Sequence, residues 1–119
     1  MKKSTKSVAS FIAGDLTIIK ELLSPTNDGV GINYSLAHAT VEVGRESIPH
    51  ILHKSSELYY ILKGVGEAFI EQKSYILEKG DYLLIPAGAN QYIKNIGNED
   101  LDFLCIVSPP WTNEQEEVF

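Results

Sequence analysis

The chain contains a single cysteine, Cys105, so no disulfide can form within it. Lys and Arg residues number 10 against 16 Asp and Glu, and the formal net charge of −6 argues against a nucleic-acid-binding surface. No apolar run approaches the length of a membrane span, and residues 8–13 are too short and too polar for a signal-peptide core. We therefore expect a cytoplasmic protein with no nucleic-acid partner and no membrane partner.

Short charged segments lie at both ends of the chain. Residues 1–7 contain three lysines, and residues 113–119 contain Glu114, Glu116 and Glu117. Because such segments offer little apolar surface to bury, we expect a disordered basic tail and a solvated acidic tail. The remaining residues, 8–112, have the size of one small domain.

Brief β-forming runs fill that domain, separated by turn residues. Val, Ile, Leu and Tyr dominate the runs, and 9 Gly with 5 Pro punctuate them. Strands are predicted over 17–23, 33–43, 57–62, 67–71, 75–77, 82–85, 91–96 and 101–107, with a short piece at 49–52. A short helix is the alternative for the first of these. Eight to ten short strands without a long helix predict an all-β sandwich or barrel.

Two of the three histidines lie close to an acidic residue. Residues an even number apart on a strand share a face, so His53 and Glu57 satisfy that rule directly. His50 joins them only if the chain bends, for which the segment 54–56 is suited. Imidazole and carboxylate ligands suit Zn, Fe(II), Mn or Ni. Alone, however, this spacing is more typical of surface or internally satisfied histidines.

A more specific motif follows later in the chain. It reads Gly80, five residues, Pro86, one residue, Gly88, two residues, Gln91, three residues, Asn95. This pattern resembles the second signature of the cupin family, in which the position of Gln91 usually holds a metal-binding histidine. The first cupin signature runs Gly, five residues, His-x-His, three or four residues, Glu, six residues, Gly. The segment from Gly44 to Gly64 is similar to it.

The resemblance implies a fold and a set of ligands. Cupins are all-β proteins built as a double-stranded β-helix, a jelly-roll barrel of the RmlC-like type. The implied ligands of a divalent metal ion are His50, Glu57 and Gln91, with His53 as a further candidate. Gln91 departs from the family pattern, and its neutral amide oxygen is a weaker donor to transition metals than imidazole.

The histidine pair fits the first signature in two ways. With the longer spacing to Glu57, His50 is the first family histidine and Leu52 replaces the second. With the shorter spacing, His53 is the second and Ile51 replaces the first. Both alignments leave one regular ligand missing, unless the bend brings both histidines to the site.

Three further residues are candidates for contacts around the site. Tyr59 lies two residues after Glu57 and is expected to face the same interior, as a substrate-binding group or as a core aromatic. His38 is a second candidate for substrate binding, with a surface or interface position as the alternative. Trp111 is expected to pack over the barrel or against a neighbouring subunit.

Two functions follow from the resemblance. One is a metal-dependent enzyme that acts on a small oxygen-rich metabolite, with dioxygenase, isomerase, lyase or cyclase chemistry. The other is a non-catalytic cupin that binds or senses a small molecule, with or without a metal. A barrel whose polar residues only satisfy one another is the third reading. Cupins commonly pair through their sheets, and the apolar strand 101–107 predicts a homodimer.

Overall fold

The computed structural model describes all 119 residues as eleven strands with almost no helix. The strands are β1 (Phe11–Ile12), β2 (Ile18–Leu23), β3 (Ser35–Val41), β4 (His50–Leu52), β5 (Ser56–Lys63), β6 (Val65–Ile70), β7 (Lys73–Glu78), β8 (Tyr82–Ile85), β9 (Asn90–Asn95), β10 (Leu101–Ser108) and β11 (Glu116–Val118). A one-turn helix, α1 (Pro25–Asp28), and two 3-10 turns, Thr5–Ser7 and Asn113–Gln115, complete the structure. None of these helical segments is long and apolar enough to cross a membrane.

The strands form two antiparallel sheets. Sheet A has six strands in the order β1-β2-β3-β10-β5-β8, and sheet B has five in the order β11-β4-β9-β6-β7. Neighbours in both sheets are mostly distant in sequence, so the chain crosses repeatedly between the sheets. The predicted all-β jelly-roll barrel is confirmed.

The core lies between the inner faces of the two sheets. Along β10, Leu101, Phe103, Cys105 and Val107 are buried, whereas the residues between them are half-buried. This alternation follows from the two-residue period of a strand, which sends successive side chains to opposite faces. Leu101, Phe103 and Cys105 belong to one hydrophobic cluster that extends to Ile93 of sheet B. A single core therefore joins both sheets.

Residues 113–119 were predicted to form a solvated acidic tail, but part of this segment is a strand of sheet B. Glu116–Val118 form β11, which pairs with β4 at the edge of sheet B. Just before this strand, Gln115 is buried and its side-chain amide donates to Ser55 Oγ at 2.8 Å. The backbone of Lys54 donates in turn to Gln115 Oε1 at 2.9 Å. Backbone pairing and one buried amide hold this segment, so its acidic composition did not reveal it.

The first residues are also more ordered than predicted. Thr5–Ser7 form a 3-10 turn, and the Lys3 ammonium donates to the Leu22 carbonyl at 2.8 Å and to Asp28 Oδ1 at 2.7 Å. Strand β1, which was not predicted, then pairs with β2 at the edge of sheet A. Its two residues are too few to produce a recognisable alternation in the sequence.

The turn before β6 yields a prediction about stability. Gly64 has a φ of +87°, and a Cβ there would lie 2.6 Å from the Asp100 carbonyl oxygen. Left-handed backbone and a clash with main chain both oppose a side chain, so Gly64→Ala should lower the free energy of unfolding by about 3 kcal/mol. Gly44→Ala is the matched control, because Gly44 has a φ of +75° and open space around its Cβ position. It should cost only about 1 kcal/mol in urea unfolding. Equal losses in the two variants would contradict the close packing at Gly64.

Candidate functional site

Four polar side chains meet between the two sheets. His50 on β4 and Gln91 on β9 are direct partners in sheet B. Glu57 and Tyr59 lie two residues apart on β5 of sheet A and therefore share its inner face. All four residues are more than nine-tenths buried. Strand pairing and the two-residue period thus bring an imidazole, an amide, a carboxyl and a phenol into one interior region.

Hydrogen bonds fix the orientation of three of these groups. The Tyr59 hydroxyl donates to Gln91 Oε1 at 2.8 Å, which ties sheet A to sheet B. His50 Nδ1 lies 2.9 Å from the Ile48 carbonyl oxygen. Because a carbonyl only accepts, Nδ1 carries the proton, and Nε2 of the neutral ring keeps its lone pair. His50 therefore has one nitrogen available for a ligand.

Glu57 is the least satisfied group of the site. Its Oε1 atom is buried and has no hydrogen-bond partner. Burial raises the pKa of Glu57 from 4.5 to about 7; His50 and the side chain of Gln91 oppose this rise, while the carboxylates of Asp15 and Glu116 add to it. At neutral pH this carboxyl can consequently hold a proton or release it.

Two neighbours of Glu57 stay protonated. Burial, followed by the nearby Glu57 charge, raises the pKa of the Tyr59 phenol and of the Cys105 thiol well above their usual values. Tyr59 and Cys105 are paired across β5 and β10. A buried thiol whose pKa is raised is a poor nucleophile, so Cys105 serves as a wall of the site.

His50, Glu57, Tyr59 and Cys105 line a cavity of about 360 Å³, whereas Gln91 is not among its lining residues. This volume is in the range of small-molecule sites, and 13 of the 22 lining residues are hydrophobic. The aromatic part of the lining consists of Phe11, Tyr59, Phe103 and Trp111. A polar cluster inside a mainly apolar cavity is the usual arrangement for binding a small organic ligand.

Sequence reasoning missed three acidic residues of this cavity, namely Asp15, Glu21 and Glu116. Asp15 lies before β2, where its Oδ2 is 3.6 Å from His50 Nδ1 and its Oδ1 accepts from the Thr17 backbone at 3.0 Å. Glu116 lies on β11 and accepts a hydrogen bond from Trp111 Nε1 at 3.0 Å. Asp15 follows a glycine in an apparent turn and Glu116 is in an acidic run, so neither carried a local signal of a site.

His53 does not join the site. Its side chain is 51% exposed, and its Nε2 lies 2.8 Å from Glu117 Oε1 on the outside of the barrel. The chain bends at His53 and Lys54 between β4 and β5. That bend reverses the parity counted along a straight strand, so His50 points inward with Glu57 while His53 points outward.

His38 is also outside the cavity. On β3 it pairs with Lys20 and Leu104, on the face of sheet A opposite the buried Ala39. Its Nε2 lies 3.6 Å from Asp102 Oδ1. The structure therefore brings together His50, Glu57, Gln91 and Tyr59, and separates His38 and His53 from them.

The donor set only partly fits a metal ion. His50 Nε2 and Glu57 Oε1 are free of other partners, as metal ligands should be, but Gln91 Oε1 already accepts from Tyr59. No three His, Cys, Asp or Glu side chains come together in a group suited to a metal. Two strong ligands and one neutral amide fall short of the usual set for a transition metal in a protein.

Comparisons with known proteins identify the family to which this chain belongs. The chain is 37% identical over 118 residues to an uncharacterized protein of Methanocaldococcus jannaschii, covering 99% of this chain and 94% of that protein. It is also 37% identical over 59 residues to an oxalate-binding protein of Thermotoga maritima, covering 47% of this chain and 49% of that protein.

Two solved structures share the fold. A predicted oxalate decarboxylase from Thermotoga maritima has a TM-score of 0.81 at 22% identity, over 92% of this chain and 99% of that one. Pac13, a nucleoside dehydratase from Streptomyces, has a TM-score of 0.82 at 14% identity, over 100% and 90%. At these identities the likeness concerns the fold alone.

The family model for the cupin domain matches residues 37–107 of this chain. Because that match spans more than half of the chain, this protein belongs to the cupin family.

Proposed function

We propose that this cupin binds a small polar metabolite in the barrel and holds it by hydrogen bonds to Glu57 and His50. The observation that carries the proposal is the unpartnered Oε1 of Glu57, buried at the wall of a cavity of about 360 Å³. A buried polar atom without a partner costs about 1–3 kcal/mol, which a ligand donor in the cavity would recover. The small oxygen-rich or nucleoside molecules named for the similar proteins agree in size with this cavity.

The same groups are suited to proton transfer. Because burial raises the pKa of Glu57 to about 7, its carboxyl is near the best value for a general acid or base at neutral pH. His50 Nε2 is a second proton acceptor. The hydrogen bond from Tyr59 to Gln91 joins the two sheets that carry Glu57 and His50. In an enzymatic form, Glu57 would move the proton and His50 would orient the reacting group.

A metal-dependent reaction is the second candidate function. It is favoured by the free Nε2 of His50, whose other nitrogen is tied to a backbone carbonyl as in most metal-ligating histidines. His50 and Glu57 would hold a divalent ion of Zn, Fe, Mn or Ni, with the Gln91 amide oxygen as the weakest ligand. Such an ion would supply a Lewis acid that polarises a bound carbonyl oxygen.

We further infer that two copies pair through the outer face of sheet A. This face carries large apolar side chains, and Tyr60, Tyr82 and Leu84 are exposed by 42%, 70% and 65%. Tyr60 and Tyr82 stack at 6.3 Å, and Leu104 of β10 lies beside Tyr60 in register. Contiguous exposed apolar surface of this kind is typical of a protein interface. A cytoplasmic location stays a prediction from the sequence.

Ligand binding should depend on Glu57 and His50. In a screen of small polar metabolites with EDTA present, a ligand at about 100 times its Kd should raise the free energy of unfolding by about 2.7 kcal/mol. Glu57→Gln and His50→Gln should each weaken that ligand about tenfold or more, because each removes a buried hydrogen-bonding group. His53→Gln, on the exterior, is the control and should leave the affinity unchanged.

Metal addition separates the two candidate functions. If the ligand binds equally well with EDTA and after loading with Fe, Mn, Ni or Zn, metal-free binding is supported. If binding requires stoichiometric metal, and His50→Gln abolishes both, the second candidate replaces the first. A protein that binds no metabolite in either state would contradict both.

The carboxyl of Glu57 should make stability depend on pH. Its pKa is about 7 in the folded state against 4.5 in the unfolded chain, so the folded state holds a proton that the unfolded state releases between these values. This contribution to stability is complete below pH 4.5 and is lost as pH rises through 7. The wild type should therefore lose about 3 kcal/mol relative to Glu57→Gln over this range, by urea unfolding. Glu42→Gln, in an exposed turn, should show the same pH dependence of the free energy of unfolding as the wild type. If the Glu57→Gln curve also runs parallel to the wild-type curve, the raised pKa of Glu57 is refuted.

The dimer is testable by light scattering. Wild-type protein at micromolar concentration should have twice the chain mass of 13.2 kDa. Leu104→Glu should yield a monomer, because it buries an unpaired charge in the proposed interface. Ile76→Glu places the same charge on an exposed position of sheet B and should remain dimeric. Pairing through sheet A would be ruled out if the wild type is a monomer. It would also be ruled out if Ile76→Glu is a monomer while Leu104→Glu stays dimeric.

A further inference from the structure

The charges around the cavity are almost all negative. Four acidic side chains line it, namely Asp15, Glu21, Glu57 and Glu116, and none of the lining residues is Lys or Arg. His50 is the only lining residue with a basic side chain. An anionic ligand would meet this surface with a single imidazole to balance it. The lining therefore favours a ligand of positive charge.

The deepest of these groups is the one that lacks a partner. Glu57 is only 8% exposed, and its Oε1 receives no hydrogen bond. Asp15 and Glu116 are close enough to Glu57 to influence its ionisation. An N–H donor with a positive charge would both complete the hydrogen bonding of Oε1 and relieve the repulsion among the three carboxylates.

The negative charge is spread along the cavity rather than gathered at one point. No three of its acidic and imidazole groups converge on a position suited to one metal ion. The walls between them are apolar and aromatic, and the Tyr59 and Phe103 rings lie 4.7 Å apart. Trp111 and Phe11 add two more rings to the lining. Aromatic faces beside carboxylates are the surroundings that organic cations prefer.

We propose that the ligand of this cavity is a small organic cation, that is, a molecule that carries an ammonium group. The ammonium would donate to Glu57 Oε1 within reach of the Asp15 and Glu116 carboxylates, and the body would pack against Phe103 and Trp111. This inference rests on the proposed function, since it names the chemical class of the molecule bound at the same site.

Three probes of one shape test the charge directly. Phenethylamine, phenethyl alcohol and phenylacetate share an aromatic body and differ in carrying an ammonium, a hydroxyl or a carboxylate. Titration calorimetry of the full chain near neutral pH, with EDTA present, should rank the amine first. We expect it to bind about tenfold or more tightly than the alcohol, with the carboxylate weakest.

Charge-removing variants then identify the responsible groups. Glu116→Gln keeps an acceptor for Trp111 and removes only the charge, so the affinity for the amine should fall about three- to tenfold. Its affinity for the alcohol should change by less than about twofold, because the alcohol has no charge to lose. Glu117→Gln, the next residue along β11, is the control: Glu117 binds His53 on the exterior and should not affect either probe.

Failure of the inference and failure of the proposed function give different results. If phenylacetate binds as tightly as the amine or more tightly, and Glu57→Gln abolishes that binding, the ligand class is wrong while the site stands. If phenylacetate binds only after Mn²⁺ is added without EDTA, the carboxylates serve a metal ion and the organic cation is overturned. If no probe binds while the metabolite screen yields a ligand that depends on Glu57, the organic cation is overturned and the proposed function stands. If binding of every ligand is the same in Glu57→Gln, both proposals fail.

Discussion

The buried carboxyl of Glu57 is the constraint around which the site is organised. Leaving one of its oxygens without a partner inside a closed sheet opposes folding, since an unsatisfied buried polar atom is costly. An apolar residue at the same position would remove that cost. Groups of this kind concentrate at functional sites, where stability is given up for chemistry. The buried core that joins the sheets, with Phe103, Ile61 and Ile93 almost fully enclosed, supplies the stability that offsets it.

The position of Glu57 depends on contacts across the barrel. Pairing of His50 with Gln91 fixes one wall in sheet B, and the hydrogen bond from Tyr59 to Gln91 joins that wall to the strand that carries Glu57. A Gln at the third histidine position of the cupin pattern thus has a structural explanation here. Its oxygen accepts a hydrogen bond from the Tyr59 phenol of the opposite sheet, which is a role that needs no metal ion.

Most of the fold and half of the site could be predicted from residue patterns. The alternation in β9 and β10 and the glycine and proline turns are local, so nine strands were recognised within a few residues of their observed bounds. The resemblance to the cupin signatures selected His50, Glu57 and Gln91, and strand parity added Tyr59, which lies two residues after Glu57. The bend itself was not fixed by parity, because residues 54–56 could turn the chain at several points. Its placement at His53 and Lys54 decides which histidine is inside.

What the patterns missed lies at the two ends of the chain. β1 and β11 are two and three residues long, and long-range pairing rather than amphipathic character holds them. These peripheral segments nevertheless supply Phe11, Asp15 and Glu116 to the cavity. The central strands thus provide the imidazole and the buried carboxyl, which are fixed by the barrel. The ends add Phe11, Trp111, Asp15 and Glu116 to the charge and aromatic surface around them. Part of the charge and aromatic surface of the cavity therefore comes from the segments that sequence periodicity describes least.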